Sequence, residues 1–272
     1  MRWRRRGHLM LVTGGAGFVG RHLVERAGRA DWQIVAPPST TVDIVRADAI
    51  ERAIENWRPA AVVHLAYRKD DPLVIVGGSR NVARAAAAVG ARLVHLSTDV
   101  VFGGRPLPYT ETDAPSPMTD YGIWKAEAEA AVAECHPGAV VVRTSLVYGT
   151  AISGHVERDV EAVLAGRSSM AFFTDEVRCP VHADDLADAI VHLAGRRDVT
   201  GPLHVAGPEA IDRAAFARLV ARRLGAETAA DRLPTSSLAA TGLRRPGVVV
   251  LDTSRAASLG VNCRAVSDVL RV

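Results

Sequence analysis

Between His8 and Arg143 the chain alternates short, nearly continuous apolar runs with longer stretches of helical spacing. His8–Val12 is an apolar run that ends in Thr13-Gly14-Gly15, the pattern of a buried strand entering a turn, and Phe18–Ala27 follows with helical periodicity. Gln33–Ala36 predicts a second strand, stopped by Pro37-Pro38. Ala47–Trp57 predicts a helix closed by Pro59, and Ala60–Ala66 a third strand. Leu73–Val89 reads as one long alanine-rich helix with Gly90 at its end. Arg92–Leu96 predicts a fourth strand, Tyr121–Glu134 a helix and Ala139–Arg143 a fifth strand. Strands of unbroken Val, Leu and Ile between helices imply a parallel sheet covered on both faces, an α/β doubly wound fold. Beyond Gly149 the alternation weakens: His155–Ala165, Asp184–Ala194 and Phe216–Leu224 read as helices and Leu203–Ala206 as one further strand. The pattern predicts a first domain over 1–150, with segments near 178–206 returning to it, and a small C-terminal cap made mainly of 151–272.

Composition narrows this only slightly. A chain of 272 residues, 48% hydrophobic, can bury a full core. Its net charge is +3, with Arg2, Arg4, Arg5 and Arg6 forming the one basic cluster. No basic or aromatic pattern continues that run, so it reads as a solvated extension and not as a nucleic-acid arm. No apolar stretch reads as a signal peptide or a membrane span. Cys135, Cys179 and Cys263 lie far apart, without metal-ligand spacing and in odd number, which suits a reducing cytoplasm and predicts no metal.

The turn Thr13–Gly20 carries the first chemistry. Gly14, Gly17 and Gly20 recur every third residue where a strand opens into a helix. The first would make the tight turn, the second would admit a pyrophosphate to the backbone, and the third would let helix and sheet close together. Free N–H groups of the helix would meet the phosphates. A glycine cluster can also merely join strand to helix, but this one sits in the required strand–turn–helix setting. It predicts a Rossmann-type site for NAD(H) or NADP(H). The second strand ends in Val35-Ala36-Pro37-Pro38-Ser39 with no acid for a ribose 2′-OH. No arginine stands there for a 2′-phosphate, yet Ser39 and Thr40 could hydrogen-bond one, which tilts the expectation toward NADP(H).

The fourth strand runs on into Ser97-Thr98-Asp99, and Tyr121-Gly122-Ile123-Trp124-Lys125 follows. Four-residue spacing puts Lys125 beside Tyr121 on one helix face. A phenol ordinarily titrates at roughly 10, and a neighbouring ammonium brings it toward neutrality. Tyr121 could then protonate an alkoxide while Thr98, at the carboxyl end of a central strand, orients the carbonyl oxygen. A tyrosine four residues before a lysine is common by chance; the glycine turn and the Ser-Thr strand end give this pair its meaning.

Taken together, the runs TGGAGFVG, LSTDVVF (Leu96–Phe102), YGIWK and RTSLVYG (Arg143–Gly149) resemble the extended short-chain dehydrogenases/reductases, in particular the dTDP-4-dehydrorhamnose reductases. The loop Tyr109-Thr110-Glu111, the stretch Arg178–Ile190 and the stretch Arg244–Gly260 extend the resemblance over nearly the whole chain. It implies a catalytic triad of Thr98, Tyr121 and Lys125, with Lys125 also holding the nicotinamide ribose. It implies cofactor contacts from Gly14, Gly17, Phe18, Val19 and Gly20 in the turn. Asp43 and Ile44 would lie near the adenine, and Leu65 and Ala66, at the end of the third strand, would also contact the cofactor. Thr98, Asp99, Arg143, Thr144 and Ser145 would border the nicotinamide and sugar. Arg178, Arg244 and Arg245 complete the expected substrate side, an arginine fork suiting a diphosphate.

Three positions depart from the family's pattern: His64 and Ile75, where relatives commonly carry asparagine, and Val100, where rhamnose-pathway reductases carry tyrosine. The implied activity is NAD(P)H-dependent reduction of a nucleotide-linked 4-keto-6-deoxy sugar in the cytoplasm. Epimerisation on the same scaffold and a non-catalytic, cofactor-binding regulatory subunit are the alternatives. Dehydration is disfavoured because Val100 stands where a second acid would be needed. The oligomeric state stays open, a homodimer included.

Overall fold

The computed structural model describes residues 8–150, 152 and 154–271. Arg2, Arg4, Arg5 and Arg6 lie outside these. Along the chain run β1 (Leu9–Thr13), α1 (Phe18–Arg29), β2 (Gln33–Val35), α2 (Ala47–Trp57), β3 (Ala61–His64), α3 (Gly78–Ala88) and β4 (Arg92–Thr98). Then follow α4 (Asp120–Cys135), β5 (Val140–Thr144), β6 (Val147–Tyr148), α5 (His155–Leu164), β7 (Phe172–Phe173), β8 (Val177–Arg178) and β9 (Val181–His182). Next come α6 (Ala183–Ala194), β10 (Gly201–His204), β11 (Ile211–Asp212) and α7 (Arg213–Arg223).

Six strands form the central sheet in the order β10-β5-β4-β3-β1-β2. β1 pairs in parallel with β2 and β3, and β3 with β4. The strand order reverses at β1, the place where such sheets open a crevice at their carboxyl ends. The doubly wound fold expected from the apolar pattern is the fold observed.

The chain divides into two compact units. One comprises residues through Ser97, Trp124–Val142 and Ala187–Leu203; the other comprises Thr98–Ile123, Arg143–Leu186 and His204 onward. In the first, Leu11, Val62, Leu93 and Val141 of the sheet pack with Ile50 and Ile54 of α2 and with Val82 and Ala86 of α3. In the second, Val156 and Val160 of α5 meet Phe216, Ala217 and Val220 of α7 around Tyr148 and Phe172. Residues 98–123, which the sequence reading kept with the first domain, belong to the second unit. The reason is local pairing with the C-terminal segment. Arg105 N donates to Val248 O (2.9 Å), Tyr109 N to Val250 O (2.8 Å) and Asp252 N to Tyr109 O (2.8 Å).

Two element expectations change. The single helix expected over Leu73–Val89 opens as a wider π-turn, Leu73–Gly77, closed by Gly78 N on Leu73 O, before α3 begins. Gly78 lies close against Ile44, whose Cδ1 would stand 2.6 Å from a Cβ there. The strand expected at Leu203–Ala206 pairs as Gly201–His204; Val205 and Ala206 are buried beyond its end.

A buried arginine ties the first unit together. Arg92 in β4 donates to Leu193 O (Nε, 3.2 Å), Gly138 O (Nη1, 2.6 Å) and Val199 O (Nη2, 2.6 Å). Burial pushes its pKa down to about 10.

Candidate active site

The glycine turn has the geometry its spacing predicts. Gly14 adopts φ +76°, where side chains are strained, and a Cβ there would lie 2.7 Å from Ala66 N. Gly17 N donates to Gly14 O at 3.0 Å and caps α1. At Gly20 a Cβ would stand 2.3 Å from Gly14 O, so only glycine lets helix and turn pack this closely. Phe18 and Val19 begin α1, whose first N–H groups have no intrahelical acceptor. Leu65 N donates to Thr13 O (3.1 Å), which brings the end of β3 against the same turn. The turn, the free helix N-terminus and the adjoining β3 end form a cradle that fits a dinucleotide pyrophosphate.

Behind the turn, Ala36 follows β2 with no carboxylate; a Cβ on Gly15 would meet its methyl at 2.7 Å. Asp43 is exposed and accepts Val45 N at 3.0 Å. Ile44, next to it, faces inward. Its side chain is buried in the core, and its carbonyl accepts Asn81 Nδ2 at 3.0 Å. Asn81, which also reaches Val45 O at 3.0 Å, pins this segment and was not legible as a site residue.

Helix α4 carries Tyr121 in its first turn and Lys125 one turn on. Tyr121 is half-buried, Lys125 buried. Lys125 Nζ donates to Leu96 O at 2.7 Å, which fixes the ammonium at the end of β4. Burial pushes its pKa down to about 8, and the Glu129 carboxylate pulls the other way. Glu129 itself accepts Ser97 Oγ at 2.5 Å. It sits one further turn along α4, a position the sequence reading passed over. Gly122 was passed over too: a Cβ there would be 2.4 Å from Val100 O, so glycine alone lets the start of α4 lie against the turn that follows Thr98.

Thr98 caps the 3₁₀ turn Asp99–Val101: its Oγ1 accepts Val100 N (3.3 Å) and donates to Asp99 Oδ1 (3.3 Å). Asp99 is 4% exposed. Its Oδ2 accepts Ser145 Oγ at 2.6 Å and faces Arg178 Nε at 3.6 Å. Burial raises its pKa, opposed chiefly by Arg178 and the Ser145 bond.

Arg178, expected on the substrate side, is instead 2% exposed, its guanidinium surrounded by interior carbonyls and carboxylates. Nη1 reaches Val177 O (2.7 Å) and Gly247 O (2.6 Å), Nη2 reaches Pro246 O (2.7 Å) and Glu176 (3.4 Å), and Nε faces Asp99. Asp99 and Ser145, also expected to touch substrate, are likewise drawn inward by this network. Arg143 and Thr144 are buried, with Arg143 lying 5.0 Å over the Phe102 ring. Arg244 is exposed, and Arg245 pairs with Glu176 at 3.0 Å while leaving its head partly open. Within the second unit a continuous polar chain thus runs from Thr98 through Asp99, Arg178 and Glu176 to Arg245.

Among the described residues no group of His, Cys, Asp and Glu could hold a metal ion, and no helix is long and apolar enough to cross a membrane.

A family model described as RmlD substrate binding domain matches residues 8–270. The dTDP-4-dehydrorhamnose reductase of Mycolicibacterium smegmatis is 31% identical over 93% of this chain and 80% of that protein. Methionine adenosyltransferase 2 subunit beta of Rattus norvegicus is 29% identical over 94% of this chain and 83% of that protein. The crystal structure of dTDP-4-dehydrorhamnose reductase from Bacillus anthracis in complex with NADP superposes with a TM-score of 0.87. It is 24% identical, and the match covers 97% of each chain.

Proposed function

We propose that this chain, which belongs to the RmlD substrate binding domain family, is an NAD(P)H-dependent reductase of a nucleotide-linked 4-keto-6-deoxy sugar. The observation that carries the reading is Lys125. It is a buried ammonium anchored on Leu96 O, one helical turn from Tyr121, on a chain that also has the glycine cradle.

A reduced nicotinamide, when bound, supplies hydride to the keto carbon. The protein's own part is proton delivery and orientation. An ammonium at Lys125, one helical turn from Tyr121, favours the ionised form of a neighbouring phenol. Tyr121 holds the proton that the reduced oxygen takes up. Thr98, whose hydroxyl is set by Val100 N and Asp99, orients that oxygen. Gly14, Gly17, Gly20 and the N-terminus of α1 hold the pyrophosphate. With no acid at Ala36 to repel a 2′-phosphate, NADPH binds at least as well as NADH. Arg244 and the open side of Arg245 meet the substrate's diphosphate as charge-assisted donors.

The names of the Mycolicibacterium smegmatis and Bacillus anthracis relatives support reductase chemistry on a sugar nucleotide. The test is a turnover panel of nucleoside-diphosphate 4-keto sugars with NADPH and NADH. Oxidation of NADPH by such a substrate supports the reading. Faster turnover of an unphosphorylated ketone than of any sugar nucleotide removes it. Cofactor binding with no turnover favours the regulatory-subunit alternative.

A further inference from the structure

We propose that His64 is a positioning residue of the cofactor site, its ring bridging Thr13 and Ser79 so that the end of β3 is fixed against the glycine turn. The inference rests on the reading that this turn holds a nicotinamide cofactor.

His64 is the last residue of β3 and is 1% exposed. Its Nδ1 lies 2.6 Å from Thr13 Oγ1 and its Nε2 3.1 Å from Ser79 Oγ. Ser79 Oγ lies 2.5 Å from Ile75 O. A carbonyl only accepts, so the Ser79 hydrogen points to Ile75. Ser79 must then accept from His64, which places the ring hydrogen on Nε2. Nδ1 is left bare, so Thr13 donates to it. The lone pairs of Thr13 Oγ1 in turn face Ala66 N–H at 3.4 Å. The protons therefore run one way, from Ala66 N through Thr13, His64 and Ser79 to Ile75 O. Each group uses the one hydrogen it has.

The first link of that chain is the peptide against which Gly14 packs, since Ala66 N is the atom nearest a Cβ on Gly14. Thr13 and Gly14, adjacent in sequence, thus grip one peptide from two sides, and His64 stops the Thr13 hydroxyl from turning away. The far end of the chain closes on the π-turn Leu73–Gly77, a kind of helix widening that recurs at functional sites. His64 so ties together the end of β1, the end of β3 and the approach to α3. A protonated ring would put a hydrogen on Nδ1 facing the Thr13 hydroxyl and break the order. Burial, with the Lys125 charge adding to it, holds His64 down to about 3, and His95, its ring 5.2 Å away, is lowered by the same two causes.

The experiment is calorimetric titration of NADPH into wild type, Thr13→Val, His64→Leu, the double variant and His64→Gln, with thermal midpoints, and ¹⁵N-histidine spectra of the wild type. His64→Leu and Thr13→Val are each expected to weaken NADPH roughly tenfold, the scale of one lost hydrogen bond. The double variant is expected to bind no worse than the singles, because a chain broken once is already broken. His64→Gln, whose amide can accept from Thr13 and donate to Ser79, recovers most of the affinity. The spectra should place the His64 proton on Nε2 from about pH 6 to about pH 8. If His64→Leu does not fold, Thr13→Val, which keeps the side-chain shape, reports on the same bond. Wild-type affinity in folded His64→Leu or Thr13→Val, or a proton on Nδ1, overturns the proposal. If wild type binds neither NADPH nor NADH, the cofactor reading itself falls, and the proposal with it.

Discussion

Arg178 Nε faces the Asp99 carboxylate at 3.6 Å in the interior of the second unit, while the same guanidinium holds the carbonyls of Pro246 and Gly247 at 2.7 and 2.6 Å. One side chain therefore joins the residue that orients Thr98 to the segment that carries Arg244 and Arg245. Removing it leaves Asp99 and Glu176 as buried acids without their shared countercharge. Arg178→Met should lose about 3–5 kcal/mol of stability, the usual consequence of breaking a buried ion pair from one side. Asp99 already has a raised pKa in the folded protein, so its contribution to stability falls as pH rises above the ordinary carboxylate range. Without Arg178 that fall should steepen. Thermal melts at mildly acidic and mildly alkaline pH check this; equal pH dependence in wild type and variant would contradict it.

Arg92→Met should be as damaging in the first unit, by another route. It strips the carbonyls of Leu193, Gly138 and Val199 of their donor. Each buried acceptor left unpaired costs roughly 1–3 kcal/mol. Denaturant unfolding should show a loss of several kcal/mol, with Arg92→Lys intermediate because an ammonium cannot reach all three.

Gly122→Ala tests how closely α4 must start to the turn after Thr98. The added methyl would meet Val100 O at 2.4 Å, so the helix start must shift. Turnover should fall by on the order of 10²-fold, as displacements near 1 Å do. NADPH affinity should hardly change, since the glycine turn is elsewhere. Steady-state kinetics and a cofactor titration of the same preparation separate the two effects.

Lys125 gives the pH dependence. With its ammonium lowered to about 8, turnover should decline as pH rises through that value, because a neutral amine no longer assists Tyr121. Glu129 is the countercharge that holds the pKa up, so Glu129→Gln should move the declining limb to lower pH. The stability linkage has the opposite direction. Between about 8 and the ordinary 10.5 the unfolded chain binds more protons at this site than the folded one, so its contribution rises with pH there. A pH–rate profile unchanged by Glu129→Gln would remove Glu129 from this role.

Periodicity alone located the doubly wound sheet, and Ala47–Trp57 was read to the residue because Pro59 and its amphipathic spacing mark both ends. The glycine turn was legible because Gly14, at φ +76°, and Gly20, where a Cβ would meet Gly14 O at 2.3 Å, stand where only glycine fits. The π-turn was not, since Leu73–Gly77 has ordinary helical composition and nothing in it marks the wider turn. Thr98 could be placed at the end of β4, and Tyr121 and Lys125 one turn apart on α4, because apolar runs and helical spacing fix those positions. The inward turn of Asp99, Ser145 and Arg178 could not. An arginine in a sequence looks available to a phosphate, and only the fold shows that Val177, Pro246, Gly247, Asp99 and Glu176 already surround it. Gly122 and Asn81 were missed for the same reason, since their roles lie in contacts with Val100 and with Ile44 and Val45.

The central claim is that Tyr121 delivers the proton in reduction of a sugar nucleotide, and one comparison tests it most directly. Wild type and Tyr121→Phe are given NADPH and a nucleoside-diphosphate 4-keto-6-deoxy sugar, and single-turnover oxidation of NADPH is followed beside a calorimetric Kd for the cofactor. Turnover should drop by roughly 10²–10⁴-fold, the range of general acid catalysis, with the Kd for NADPH nearly unchanged. Turnover of the variant at the parental rate would contradict it, as would a wild type that oxidises NADPH with none of these substrates.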